Sequence, residues 1–225
     1  HAHVGNYPGI TVERRSGTHS GPSRHWQVHD LPGCYSLTAH SPEEEVAFLA
    51  LRGRLGSTPP DVAVVVMDAT NLARNLFLLM QVAELGVPVV AALNFADAAR
   101  GAGWRFDLDG LRAALRCPVV AVAARSGEGL AALRAAVEAV AADPTLGRGP
   151  APAWSLEVQT ALQAARAADP ALAQRPQGEL AWLLAADAAL VDRLAEGAGS
   201  RLAQLVQRSP DESVDVRRRL IHDRY

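Results

Sequence analysis

The chain contains no lysine. All 22 of its basic residues are arginine, set against 24 acidic residues, for a formal net charge of -2. Any mechanism that needs a lysine is excluded for these 225 residues, including a complete phosphate loop of the form G-x-x-x-x-G-K-[ST]. Cysteine is almost as scarce. Cys34 and Cys117 are too few for a disulfide framework and fit a reducing, cytoplasmic-type compartment. No apolar run approaches the roughly 20 residues needed to span a bilayer. The start, HAHVGNYPG, lacks the charged-then-apolar pattern of a secretory signal. Nor is there an excess of positive charge, so bulk binding to nucleic acid has no electrostatic support.

Hydrophobic residues make up 49% of the chain and charged residues 20%, the composition of a folded protein. At roughly 150 residues per domain, the length predicts one large domain or one domain with a smaller second one. The first two thirds and the last third differ. Trp26–Asp30 alternates as a half-buried strand does. Val62–Asp68, Val87–Asn94 and Pro118–Ala124 are nearly all apolar, as expected of parallel strands covered on both faces. Leu72–Gly86, Leu108–Arg116 and Gly129–Ala142 carry apolar residues at helical spacing. Strand alternating with helix predicts βαβ units and a mostly parallel sheet. Leu146–Trp154 is rich in Gly and Pro and reads as a linker. Beyond it, alanine- and leucine-rich segments without strand signal predict a small helical bundle, in which Trp154 and Trp182 are core anchors. Pro210, followed by Asp211 and Glu212, reads as a further helix start in that tail.

Three loops follow β-type runs, where ligands bind in an open parallel sheet. In Asp30-Leu31-Pro32-Gly33, the carboxylate can hold a magnesium ion through water, and the glycine can bring its backbone N–H to a terminal phosphate. In Asn94-Phe95-Ala96-Asp97, the Asp97 carboxylate can accept two N–H donors from a guanine edge in a planar, bidentate fashion. Asn94 can brace that loop. In Ala123-Ala124-Arg125, backbone N–H groups can face a base carbonyl. Each loop alone is a common turn. Three in this order, each at a strand end, are much harder to dismiss.

Together they resemble the third, fourth and fifth signature motifs of a small GTPase. Longer strings narrow the resemblance. VGNYPGITVERRSG (Val4–Gly17) and DLPGCYSLTAHSPEEE (Asp30–Glu45) are similar to the first and second switch regions of the ferrous iron transport protein B family. DATNLARNLFLLMQVAELGVPVVAALN (Asp68–Asn94) is similar to the family pattern as well. The resemblance runs in detail from Val4 to Ala142. It implies a Ras-like α/β sheet of the P-loop GTPase type over residues 1–147, lacking its first strand and phosphate loop. A small all-α domain over residues 151–225 would follow.

The resemblance also implies roles. Gly9, Ile10, Thr11, Val12 and Glu13 would form the switch that closes over the nucleotide, with Thr11 ligating Mg²⁺. Asp30 would hold Mg²⁺ through water, and Leu31, Pro32 and Gly33 would carry the γ-phosphate contact. Asn94, Phe95, Ala96 and Asp97 would read guanine. Phe95 replaces a residue that is often lysine, a change the family tolerates. Ala123, Ala124 and Arg125 would contact the base through the backbone. GTP and GDP are then the ligands, Mg²⁺ the metal, and a potassium ion can assist in the family. The implied activity is GTP hydrolysis, coupled to iron(II) uptake at the cytoplasmic face of the bacterial inner membrane. The implied partner is a downstream membrane domain of the same protein, and the whole transporter is a candidate homo-oligomer.

The departures are equally specific. The phosphate loop and its strand would lie upstream of His1, and the chain would continue past Tyr225 towards the membrane domain, so a fragment cut at both ends is expected. That strand belongs between those ending at Asp30 and Asp68, and its absence is expected to leave open sheet edges. Cys34 stands where Ras-like enzymes carry a water-orienting glutamine, and it reads as a small buried residue. No catalytic residue is assigned. His25 and His29 would lie about 13 Å apart along a strand, too far to share a metal. Glu43–Glu45 reads as a solvated helix start, and Arg217–Arg219 as a solvated helix face. Two rival readings remain open. One is a degenerate G-domain scaffold serving as a non-catalytic interaction module. The other is a ribosome- or RNA-associated GTPase, which a helical tail without strong basic character disfavours.

Overall fold

The computed structural model describes residues 2–6, 13–21, 24–37, 41–53, 58–151, 153–168 and 170–185. Thr11 with Gly9, Ile10 and Val12, and the tail with Pro210 and Arg217–Arg219, lie outside the described residues. The chain divides into two compact units. The first takes His1–Ala83 and Val87–Pro150; the second takes Glu84–Gly86 and the chain from Ala151 onwards.

The first unit holds two three-stranded sheets. In one, β1 (Ala2–Asn6), β2 (Glu13–Ser20) and β3 (His25–Asp30) pair antiparallel in that order. In the other, β4 (Ala63–Asp68), β5 (Val89–Asn94) and β6 (Val119–Ala121) pair parallel. The expected βαβ order is present. It is carried by α2 (Leu72–Glu84) after β4, by α3 (Ala96–Gly101) and α4 (Leu108–Leu115) after β5, and by α5 (Leu130–Ala142) after β6. Two of these helices end at a residue of positive φ. The end of α2 runs into Gly86 at φ +79°, and Arg116 closes α4 in the left-handed region.

Among the described residues, β3 pairs only with β2, and β4 only with β5. Both are therefore edges, as expected of a sheet without its first central strand. The burial agrees. From Val89 to Leu93, β5 is buried throughout. On β4, Val65 and Met67 are buried, while Val64 and Val66 are 41% and 60% exposed. A parallel strand normally has both faces covered; this one has an apolar face open to solvent. The expected alternation of Trp26–Asp30 also breaks, because Val28 is exposed although Trp26 is half-buried. The Arg24 guanidinium lies 5.3 Å from the Trp26 ring and covers part of it.

Helix α1 (Pro42–Leu51) begins where the acidic run predicts. Ser41 caps it by accepting from the Glu44 N–H at 3.3 Å, Pro42 occupies the first turn, and Glu43–Glu45 sit at the positive end of the dipole. Val46 is fully buried, and Leu31 of the loop after β3 packs against it. In the second unit, α6 (Leu156–Ala168), α7 (Pro170–Ala173) and α8 (Gln177–Ala185) bury Val158, Leu162, Leu172, Leu180 and Leu183. Trp154 and Trp182 are buried there as expected. Arg175 pairs with the buried Glu179 at 2.7 Å.

One glycine is required by a close approach. Gly129 opens α5 at φ +80°, and a Cβ built on it would lie 2.2 Å from the Ala121 carbonyl oxygen. Both the conformation and the space exclude a side chain, and the obstructing atom is backbone. Gly129→Ala should therefore destabilise the fold by about 2 kcal/mol or more. Urea unfolding of the variant against the parent measures this, and equal midpoints would contradict it.

Candidate nucleotide site

The site is built where β5 and β6 end. Asn94 is the last residue of β5. Its carbonyl accepts from the Ala69 N–H at 2.9 Å, which ties it to the end of β4. Val122 donates to the Leu93 carbonyl at 2.8 Å, and Ala96 donates to the Val122 carbonyl at 3.1 Å. The chain thus leaves β5 and β6 stitched together, and the Asn94–Asp97 and Ala123–Arg125 loops emerge side by side.

Phe95 makes the turn between β5 and α3. It adopts φ 61°, ψ 28°, the left-handed region, although its side chain is bulky and 52% exposed. A bulky residue there is an outlier that costs about 1 kcal/mol or more. The turn places Asp97 in the first turn of α3, exposed to solvent.

The Asn94 side chain joins the two loops. Its Oδ1 accepts from the Ala124 N–H at 3.1 Å. The sequence reading gives this N–H to a base carbonyl; in the structure Asn94 holds it. The bond from Val122 to Leu93 keeps the chain after β6 alongside Asn94, within reach of its amide oxygen. Beyond it, Ala123 donates to the Glu128 carbonyl at 3.0 Å and accepts from the Gly127 N–H and the Ser126 hydroxyl. These bonds close Ala123–Glu128 into a tight loop. Arg125 is exposed on it.

A contact that sequence reasoning missed spans the same loops. Arg100 of α3 places Nη2 2.7 Å from Glu128 Oε2. That hydrogen bond raises the Arg100 pKa and lowers that of Glu128, so the pair is ionised near neutral pH. The D-x-x-R spacing of Asp97 and Arg100 is visible in the sequence. Glu128, 28 residues further on, carries no local signal. Arg100 also borders an open groove of about 550 Å³, lined with Ala96, Trp104, Arg105, Phe106 and Ala121.

The Asp30–Gly33 loop is held separately. Asp30 is exposed at the end of β3. Gly33 is exposed, and a Cβ there would meet nothing within 4 Å, so its backbone is open to approach. Downstream, the Leu37 N–H donates to Gln81 Oε1 at 2.7 Å in a buried setting, tying the loop to α2. The Arg74 guanidinium lies 3.7 Å from the Tyr35 ring centroid, and Ser36 donates to Glu44 of α1. Of the expected switch residues, Glu13 lies in β2; Gly9–Val12 are outside the described residues. Among the described residues no group of three His, Cys, Asp or Glu side chains could hold a metal ion alone. An isolated carboxylate such as Asp30 suits Mg²⁺, which takes one or two carboxylates and completes its shell with water and phosphate oxygens.

The comparisons with known proteins follow this geometry. The family model described as "Ferrous iron transport protein B" matches residues 1–137. The chain belongs to the ferrous iron transport protein B family. It is 44% identical over 131 residues to the Fe(2+) transport protein A/Fe(2+) transporter FeoB fusion protein of Porphyromonas gingivalis. That match covers 58% of this chain and 15% of the relative, so the chain spans a small part of the relative's length. The cytosolic domain of L. pneumophila FeoB superposes with a TM-score of 0.81 at 27% identity, covering 100% of this chain and 85% of that one. The cytosolic domain of the T. maritima FeoB iron transporter gives 0.81 both in a GDP form, at 26% identity, and in a GMPPNP form, at 25%. Each covers 99% of this chain and 84% of the other. The mixed α/β fold with its parallel sheet is therefore the fold of the family's cytosolic domain.

Cys34 is half-buried beside this loop, and its thiol is pushed up to about 11, first by burial and then by the Glu44 carboxylate. Burial likewise raises the Cys117 thiol to about 11. Cys34 is therefore a neutral thiol near pH 7 and cannot serve as a base. A thiol ionising near 11 instead of 9 carries about a hundredfold less thiolate at pH 8. Alkylation by iodoacetamide at that pH should be slower by at least this factor in the folded protein than in urea, followed by mass spectrometry. Equal rates would refute the assignment.

Proposed function

We propose that in the intact protein the chain forms part of the guanine-nucleotide-binding and GTP-hydrolysing module of a ferrous iron transporter. It acts at the cytoplasmic face of the membrane and passes its nucleotide state to a membrane domain. The observation that carries this reading is the meeting of Asn94, Asp97 and Ala123–Arg125 at the ends of two paired parallel strands. The GDP and GMPPNP forms of the T. maritima relative support guanine nucleotide as the ligand.

Asp97 is the acceptor for the two donors of a guanine edge; adenine presents no such pair. Asn94 sets the distance between the two base-facing loops through Ala124. Binding a base carbonyl at Ala124 exchanges the Asn94 hydrogen bond for one to the ligand. Gly33 offers an uncrowded backbone N–H to the terminal phosphate. Mg²⁺, when bound, neutralises charge on the phosphate oxygens. Asp30 is suited to hold it through water, with Thr11 supplying the hydroxyl. When the γ-phosphate leaves, the segments around Thr11 and Gly33 lose that anchor. Leu37, fixed to Gln81, marks where the second moving segment would end. Cys34, a neutral thiol, is not the base that takes a proton from the attacking water.

Asp97→Asn presents an amide donor where an acceptor is needed. In the intact protein, GTP and GDP affinity should fall by about a hundredfold, and the preference over ATP should be lost, as read by competition with a fluorescent GDP analogue. Retained selectivity would show that Asp97 does not read the base. Thr11→Val keeps the side-chain shape and removes the hydroxyl. In the intact protein it should leave GDP affinity near the parent value and slow single-turnover GTP hydrolysis by about tenfold or more. Parent-like hydrolysis would remove Thr11 from the metal site.

A further inference from the structure

Two D-x-x-R pairs lie on consecutive helices of the first unit, and they behave differently. On α4 the pair closes: Arg112 Nη1 lies 2.6 Å from Asp109 Oδ1. On α3 the equivalent pair, Asp97 and Arg100, stays open. Arg100 turns away and lies 2.7 Å from Glu128 Oε2. Asp97 is near enough for its charge to act on both Arg100 and Glu128. Among the described residues its carboxylate nevertheless accepts no hydrogen bond. The spacing alone does not keep Asp97 open, because the same spacing closes on α4. On α4 the Arg112 Nε and Nη2 also donate to the Val119 carbonyl, at 3.1 and 3.0 Å, and among the described residues no second carboxylate competes for the guanidinium; on α3 a second carboxylate holds the arginine.

The geometry points to Glu128 as a positioning residue for guanine recognition: by holding the Arg100 guanidinium, it keeps the Asp97 carboxylate available to the base. This rests on Asp97 being the guanine acceptor. A guanidinium presents two parallel N–H donors at the spacing of a guanine edge, so Arg100 and the base compete for the same side of one carboxylate. Released from Glu128, Arg100 would close on Asp97 as Arg112 closes on Asp109. It would then have to be displaced by each incoming nucleotide. Glu128 reaches no ligand in this account; it acts through Arg100. Its backbone pairs with Ala123 whatever its side chain, so the loop itself does not depend on the carboxylate.

The test uses the intact protein and compares the parent with Glu128→Ala, Arg100→Ala and the double variant. Two readouts are taken. The first is the carbon-13 NMR titration of the Asp97 carboxyl without nucleotide. In Glu128→Ala it should titrate at lower pH than in the double variant, because Arg100 has moved onto it. Equal values overturn the proposal whether or not the protein binds nucleotide. The second is GDP affinity. Glu128→Ala should weaken it by about three- to fivefold, the strength of an exposed ion pair. Removing Arg100 as well should restore it to within about twofold of the parent. A double variant as weak as Glu128→Ala means that Glu128 supports the loop instead, and overturns the proposal. So does a parent-like Glu128→Ala. A parent protein that fails to bind GDP contradicts the guanine-site reading itself, and the titration still decides whether Glu128 holds Arg100 away.

Discussion

The candidate site depends on the fixing of β5 from both sides. Its five buried residues, Val89–Leu93, hold it at the centre of the parallel sheet, with β4 and β6 in register against it. The hydrogen bonds from Ala69 to Asn94, from Val122 to Leu93 and from Ala96 to Val122 then lock the three strand ends at one level. Of the polar residues of the site, Asn94 is half-buried and Asp97 and Arg125 are exposed. They have little packing of their own and inherit their positions from this apolar strand.

The strain at Phe95 follows from the same constraint. A chain leaving a fully buried strand must turn at once to enter a six-residue helix, and the left-handed conformation makes that turn in a single residue. Glycine would do so without strain. A bulky side chain at that position indicates that the surrounding bonds, not local preference, determine the backbone. The Asn94–Asp97 loop is therefore held from outside. Asn94 and the Arg100–Glu128 pair, both of which bridge to the Ala123–Glu128 loop, form part of that hold.

Much of the fold was legible in the sequence, for identifiable reasons. β4 and β5 are continuous apolar runs, and α2, α4 and α5 show helical spacing. Boundaries shifted where proline intervenes. Val87–Asn94 and Pro118–Ala124 start earlier than the strands because Pro88 and Pro118 donate no N–H, although their carbonyls accept from Ala63 and Ala91; β6 also ends early, at Ala121, where Ala123 bonds within its own loop. The β1–β2 hairpin was not legible. Glu13–Ser20 reads ERRSGTHS, polar on both faces, so neither period stands out. Helix α3 is too short for periodicity. At the site, the loops could be located from strand ends and the family pattern. The use of the Ala124 N–H by Asn94 and the tie between Arg100 and Glu128 could not, since each joins residues about thirty positions apart.

The open side of β4 has a consequence for amide hydrogen exchange. Ala63 and Ala69 donate towards β5 and its continuation, so the alternation of a parallel ladder turns the amides of Val65 and Met67 the same way. The N–H groups of Val64, Val66 and Asp68 then point to the side where no described strand lies. Along six consecutive residues, slow and fast deuterium uptake should alternate, with the fast positions at the two valines whose side chains also meet water. A strand that came to lie against β4 would turn this comb of rates into uniform protection. Exchange at Val64 and Val66 thus reports, residue by residue, whether the sheet is closed on that side.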